Sequence, residues 1–433
     1  MSSLTERYIR SVEYLARAEQ VIPLGSQTFS KSRTQYPVGA APLFAQRSRG
    51  SHTWDIDGNE YVDLVSSLGA VALGYGDEEI NEAVIKQLKD GVTLSLAHPI
   101  EAVVAEKLVS LIPCAEKVRF AKNGSDATSA AIRLARAFTG RNQVIVCGYH
   151  GWQDWYIGST TMNLGVPQQV RALTHSIAYN DLEALESTIK QLNGDVAALI
   201  MEPMTSTFPD ENYLQEVRRI TQDHGIVLVF DEMLTGFRFA PGGAQEYFGV
   251  KPDLAAFGKA LANGFPLSGI VGRADILDVM PTIFFSGTFG GETLSLAAAN
   301  VVLDRMATGE PTTRLAKLGS DLLTKIEERR PESSRAFLNF SGHPSWIFQQ
   351  WNIEDPEVLA QAKTLLLQEM LKQGVLVLNT HDVTTAFTEA DLDHVADAYT
   401  QALTLVADGM KTGDFESLLE CEPIRPLFVV RKS

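Results

Sequence analysis

Cysteine is scarce in this chain. Its three copies among 433 residues, Cys114, Cys147 and Cys421, lie too far apart for a metal-binding cluster and read as free thiols in a reducing compartment. Positive charge is also in short supply: 37 Lys and Arg face 53 Asp and Glu, a net charge of −16, which repels nucleic acid and anionic membrane at long range. No apolar run approaches the roughly 18 to 20 residues that a membrane-crossing helix needs. The opening MSSLTERYIRSVEYLARAEQ reads as a charged amphipathic helix rather than a secretory leader. Internal repeats, low-complexity tracts and long Gly/Ser linkers are missing too. With 45% hydrophobic and 21% charged residues, the expectation is a cytoplasmic globular protein without a metal site. The chain is long enough for a large α/β domain and a smaller companion.

Several short segments are apolar from end to end and alternate with helices of period 3.6: NQVIVCG (142–148), VAALIMEP (196–203), IVLVFDE (226–232) and PDLAAFGK (252–259). Strands of this kind suit a mostly parallel sheet covered by helices on both faces. We expect an N-terminal helix and extended segment at 1–48, a large domain at 49–305, and a smaller α+β domain at 306–433. The last holds long helices (TTRLAKLGSDLLTKIEER, VLAQAKTLLLQEMLKQG) and short strands (WIFQQW, VLVLN).

Ligands of parallel α/β sheets sit beyond the C-terminal ends of the strands, and four such ends finish in chemistry. They carry Glu202, Asp231 with Glu232, Lys259, and Tyr149-His150-Gly151. One lysine, one aspartate and one aromatic converging on a sheet edge are what a pyridine aldehyde cofactor needs. The lysine forms a Schiff base, the aspartate pairs with the protonated ring nitrogen, and the aromatic stacks on the ring. Taken singly, each has a plain alternative: a solvated charge, a cap, a rim aromatic. A phosphate group would suit the turn Asn123-Gly124-Ser125 before the alanine-rich helix of RFAKNGSDATSAAIRLARAF, where backbone N–H groups and the helix dipole favour an anion. SGTFGGETLSLAAANVVL offers a second small-residue turn, with Thr288.

The stretch FDEMLTGFRFAPGGAQEYFGVKPDLAAFGKALANGFPLSGIVGR resembles the core signature of class III aminotransferases, in the branch that holds glutamate-1-semialdehyde 2,1-aminomutase. NGSDATSAAIRLARAFTGR, GYHGW, SWIFQ and IPLGSQTFSKS fall in matching order. The resemblance implies fold type I, pyridoxal 5'-phosphate and a homodimer with the cofactor near the subunit interface. By position, Lys259 matches the Schiff-base lysine, Asp231 the ring-nitrogen partner, and Asn123, Gly124 and Ser125 the phosphate loop. Tyr149 matches the stacking aromatic, Glu202 the acid near the 3-hydroxyl, Met233 the apolar residue under the ring, and Thr288 a phosphate ligand reaching the other subunit.

The implied reaction is ping-pong transfer of an amino group from a small-molecule donor to a small carbonyl acceptor, through Lys259. Intramolecular aminomutation is the alternative. Where the aminomutase carries an arginine for the substrate carboxylate, this chain has Lys31, with Arg33 two residues on. Its loop after YHG (about 152–170) and its C-terminal loop LNTHDVTTAFTEADLDHV also read as shorter. Lys31, Arg33 and His381 are the candidate substrate residues, while His98 and His224 read as structural. A nicotinamide dehydrogenase is disfavoured because no G-x-G-x-x-G joins a strand to a helix. A non-catalytic scaffold would more readily have lost Lys259 or Asp231.

Overall fold

The end-to-end apolar segments form the middle of one seven-stranded sheet. Its strands are β1 (Lys117–Ala121), β2 (Gln143–Cys147), β3 (Thr174–Ser176), β4 (Val196–Met201), β5 (Val227–Asp231), β6 (Leu254–Phe257) and β7 (Ser268–Gly272). They lie in the order β1-β7-β6-β5-β4-β2-β3. β3, β2, β4, β5 and β6 pair in parallel, whereas β7 runs antiparallel to both β6 and β1. Every residue of β4, β5, β6 and β7 is buried. The structure, a computed structural model, describes residues 4–425.

Crossovers are helical, as parallel pairing demands. α1 (Gly124–Thr139) follows β1, α2 (Leu182–Gln191) joins β3 to β4, and α3 (Tyr213–Asp223) joins β4 to β5. The buried face of α1 is largely alanine, with Ile132 and Leu134, so its backbone lies close to the sheet. α1 ends where Gly140 takes φ +70° and its N–H bonds the Arg136 carbonyl at 2.9 Å. Val144, Val146, Ala198, Ile200, Val229 and Leu254 of the sheet pack with it in one core. Each large aliphatic side chain buried there is worth about 1.5–3 kcal/mol. α4 (Thr293–Met306) is capped by Glu292, whose Oε1 accepts the Leu294 N–H at 2.6 Å.

Contacts divide the chain into two units: residues 78–313 hold the sheet just described, while residues up to 77 join those from 314 onward. The second unit has an antiparallel run, Ala45–Arg49, His52–Asp55 and Glu60–Asp63, extended in parallel by Val375–Leu376. Leu338–His343, Trp346–Trp351 and Thr380–His381 form another antiparallel sheet. Long helices run at Glu310–Arg329, Pro356–Lys372 and Glu389–Thr412. The last corrects one expectation. LNTHDVTTAFTEADLDHV is not a loop throughout, because Thr388 caps a 24-residue helix by accepting the Asp391 N–H at 3.3 Å. Among the described residues, no helix is long and apolar enough to cross a membrane.

His381 belongs to the core of this second unit. It is fully buried, its Nε2 lies 2.6 Å from the Tyr399 hydroxyl, and its ring stacks on Tyr399 with centroids 5.6 Å apart. Burial pushes its pKa down to about 3. An unfolded histidine takes its proton near pH 6.5, so stability present above that pH drains away as pH falls towards 3. His381→Gln should therefore flatten the acid side of the urea-unfolding profile between those limits, by up to about 1.4 kcal/mol per pH unit. An unchanged slope would exclude this group as the source.

Candidate active site

Strand register brings the candidate residues to one edge. Cys147 of β2 lies opposite Met201 of β4, Met201 opposite Phe230 of β5, and Asp231 opposite Ala256 of β6. Tyr149, Glu202, Asp231 and Lys259 are thus neighbours at the C-terminal ends of four adjacent strands. β7 brings the phosphate-loop candidates to the same edge: Ser268 Oγ, at its start, donates to the Asn123 carbonyl at 2.7 Å.

The Asp231 carboxylate is the best-defined part of the site. It is 4% exposed, and its Oδ2 sits 2.8 Å from His150 Nδ1 while Oδ1 accepts the Met233 N–H at 3.1 Å. Among the described residues no lysine or arginine forms an ion pair with it. A carboxylate has about four lone-pair positions, and these two contacts use two of them. A buried acid in that state is costly and fits a further, cationic N–H donor such as a protonated pyridine nitrogen.

Beside it, Glu202 is 5% exposed and its Oε2 accepts the Tyr149 N–H at 3.1 Å. This contact forces glycine at 148: φ is +110°, and a Cβ there would lie 2.6 Å from Glu202 Oε2. The half-buried Tyr149 ring is held edge-on by Tyr156 at 5.6 Å, and the Tyr156 hydroxyl donates to the Gly148 carbonyl at 2.8 Å. Gly151 lets this loop touch the start of α1, since a Cβ there would lie only 2.2 Å from Ser125 Oγ.

Met233 joins the remaining pieces. Its sulfur lies 2.9 Å from where a Cβ on Gly124 would be, and 2.7 Å from the same point on Gly258. One thioether therefore packs against both the phosphate-loop glycine and the residue before Lys259. Lys259 itself is half-buried and sits at φ +47°, opening the short turn Lys259–Ala262. A non-glycine residue in that region stores strain of about 1–3 kcal/mol, commonly at functional positions. Asn123 caps α1: its N–H donates to Asp126 Oδ2 at 2.8 Å and its carbonyl accepts the Asp126 N–H at 3.0 Å, which leaves the N–H groups of Gly124 and Ser125, at the first turn, for an anion. The residues present therefore fit a phosphorylated pyridine aldehyde at three points: anion site, ring-nitrogen acceptor and amine.

Thr288 is placed differently. It lies exposed in a loop lining a cavity of about 550 Å³ with Thr93, His98, Arg119 and Phe285; none of Asn123, Asp231 or Lys259 lines it. Lys31 and Arg33 are in the other unit. Lys31 Nζ donates to Ser67 Oγ at 3.3 Å, and Arg33 pairs with Glu19 at 2.5 Å. Ser67 belongs to a left-handed turn, with φ of 45°, 52°, 60° and 77° from Ser66 to Gly69. His98 Nδ1 accepts the Ile100 N–H at 3.1 Å at the start of the Pro99–Leu111 helix, and His224 closes α3.

His150 was placed at a strand end but given no role, and Ser268 was not singled out. His150 stands in the quoted GYHGW, but its partner Asp231 is 81 positions away, a separation local pattern does not span.

A family model for class-III aminotransferases matches residues 35–403. The chain is 31% identical to a 3-aminobutyryl-CoA aminotransferase of Cloacimonas acidaminovorans, over 92% of this chain and 97% of the relative. It is 32% identical to a glutamate-1-semialdehyde 2,1-aminomutase of Aquifex aeolicus, over 91% and 97%. Among solved structures it is similar to the FumI protein of Sphingopyxis sp. MTA144 in its PLP internal aldimine form, at TM-score 0.87 and 28% identity, covering 96% of this chain and 99% of that one. A glutamate-1-semialdehyde aminomutase from Pseudomonas aeruginosa PAO1 shares the fold at TM-score 0.82 and 23% identity, over 93% and 97%. The family model spans most of the chain and both relatives match it nearly end to end: the chain belongs to the class III aminotransferases.

Proposed function

We propose that this protein is a pyridoxal 5'-phosphate-dependent aminotransferase that moves an amino group from a small amino donor to a small carbonyl acceptor by a ping-pong route. The observation that carries this reading is the buried Asp231 carboxylate, with lone pairs to spare beyond His150 and the Met233 N–H and, among the described residues, no lysine or arginine paired to it, one strand away from Lys259. When bound, the cofactor supplies an aldehyde and a cationic ring that accepts electrons.

This chain's residues supply the rest. The N-terminus of α1, with Ser125, holds the phosphate, Tyr149 and Met233 enclose the ring, and Asp231 keeps the ring nitrogen protonated. Lys259 Nζ yields its place to the donor's amine and then takes the proton from the carbon that bore the amino group. The same Nζ would carry that proton back when the transfer completes. One water would supply the carbonyl oxygen with which the donor leaves, and the acceptor would release one water as it takes up the amine.

A homodimer with Thr288 reaching the partner's site is part of the proposal. Its support is the exposed apolar surface around the Thr288 loop: Leu96 is 84% exposed, Phe284 85% and Phe289 58%, more than an isolated surface comfortably shows. Aminomutation is the second reading, favoured by the aminomutase relatives alone. Lys31 in place of an arginine weighs against it, because a lysine makes a point contact where arginine makes a fork.

Lys259→Ala should bind cofactor yet turn over at less than about one-thousandth of the parent rate. Asp231→Asn should slow the proton transfer by at least about a hundredfold, seen in stopped-flow half-reactions. For function, the protein is converted to its amine form with a panel of donors, and carbonyl compounds are then screened for return of the original visible spectrum. Single-compound isomerisation with no donor or acceptor would establish the aminomutase instead. Light scattering should give about twice the 47.4 kDa chain mass, and Leu96→Asp with Phe284→Asp should halve it and abolish activity. A fully active monomer would remove Thr288 from the proposed site.

A further inference from the structure

We infer that His150 is a positioning residue which fixes the Asp231 carboxylate as a directed acceptor for the cofactor's ring nitrogen. The inference rests on the reading of Asp231 given above and adds a residue to it.

His150 is 2% exposed, and its side chain is completely buried. Nδ1 stands 2.8 Å from Asp231 Oδ2. A carboxylate oxygen accepts, so Nδ1 carries the hydrogen and donates it. The opposite nitrogen, Nε2, is buried with no hydrogen-bond partner. A second hydrogen there would be a buried donor with nowhere to go, so the environment selects the tautomer that points its one donor at Asp231. The residue is held at two further points, one on its backbone and one on its ring. Its backbone carbonyl accepts from Thr128 Oγ1 at 2.9 Å, and the Tyr156 ring meets it edge-on at 5.3 Å.

The geometry has a second effect. Oδ1 is held by the Met233 N–H, so with His150 on Oδ2 the plane of the carboxylate is set at both oxygens. Its unused lone pairs then keep one direction, which a bound ring need not reorganise. Tyr149 and His150 are consecutive, so one short loop sets both the face of the ring and the acid at its nitrogen. Losing a hydrogen bond to a charged group and freeing the carboxylate to turn corresponds to a change of roughly 10- to 100-fold.

The test uses the full-length protein, freed of cofactor and titrated with pyridoxal 5'-phosphate by visible absorption. His150→Phe keeps the aromatic volume without the donor, and His150→Asn places an amide N–H close to the position of Nδ1. His150→Phe should raise the cofactor Kd by about 10- to 100-fold and lower kcat while donor KM changes less than about threefold. His150→Asn should restore Kd to within about threefold of the parent. In cofactor-free protein labelled with ¹⁵N-histidine, the resonance lost in both variants should show a protonated Nδ1 and a bare Nε2. Parent-like binding by His150→Phe overturns the inference, as does a folded His150→Asn as impaired as His150→Phe, or a proton found on Nε2. If His150→Phe does not fold, as judged by circular dichroism, His150→Asn and the tautomer decide. Asp231→Ala separates the two readings. If it binds cofactor like the parent, the role of Asp231 itself fails; if it loses binding while His150→Phe does not, only the role of His150 fails.

Discussion

A carboxylate withdrawn from water at the end of a parallel strand, met among the described residues by one histidine and by no lysine or arginine, is the constraint around which the site is arranged. Asp231 and Glu232 are adjacent and both buried, yet their surroundings give them different work. Glu232 accepts from the Thr235 hydroxyl and from the N–H groups of Ala244 and Gln245 at 2.8 and 2.9 Å, and burial pushes its carboxyl up. Its acceptor capacity goes into tying down the loop that leaves β5. Asp231, anchored by that loop through the Met233 N–H, keeps capacity in reserve for a ligand. Two acids in sequence thus become scaffold and instrument.

Close approach is the second requirement, and glycine meets it where nothing larger fits. Gly148 admits the Glu202 carboxylate, Gly151 admits Ser125, and Gly258 admits the Met233 sulfur. A methyl group at any of these points would separate the strand-end loops by an ångström or more, enough to misplace groups that must act together. The small residues around Lys259 are therefore explained by neighbouring side chains as much as by the cofactor they would admit.

The large sheet was legible because its central strands are apolar on both faces, a pattern with few other homes. β7 was not: Ser268–Gly272 is SGIVG, two glycines and a serine with no alternation, and it runs against its neighbours. The Glu389–Thr412 helix was hidden at its start by the run of threonines and aspartates, which suits a loop as well as a cap. Within the site, lysine, aspartate and aromatic could be read because each closes its own strand. His150 could not, because its meaning lies in a partner on another strand. His381 shows the converse. A polar residue between Thr380 and Asp382 is buried to nothing by Tyr399, and sequence alone carries no sign of that.

The left-handed backbone at Lys259 has a consequence of its own. A residue wound this way throws its side chain along a direction that neither the preceding strand nor an ordinary right-handed turn provides. The amine is therefore aimed by the twist of one residue. Under the proposed mechanism, a lysine one step earlier or later would face away from the group it has to meet. In the proposed reaction the site is addressed by torsion angle as much as by residue type, and changes of substrate preference would arise around this fixed point rather than by moving it.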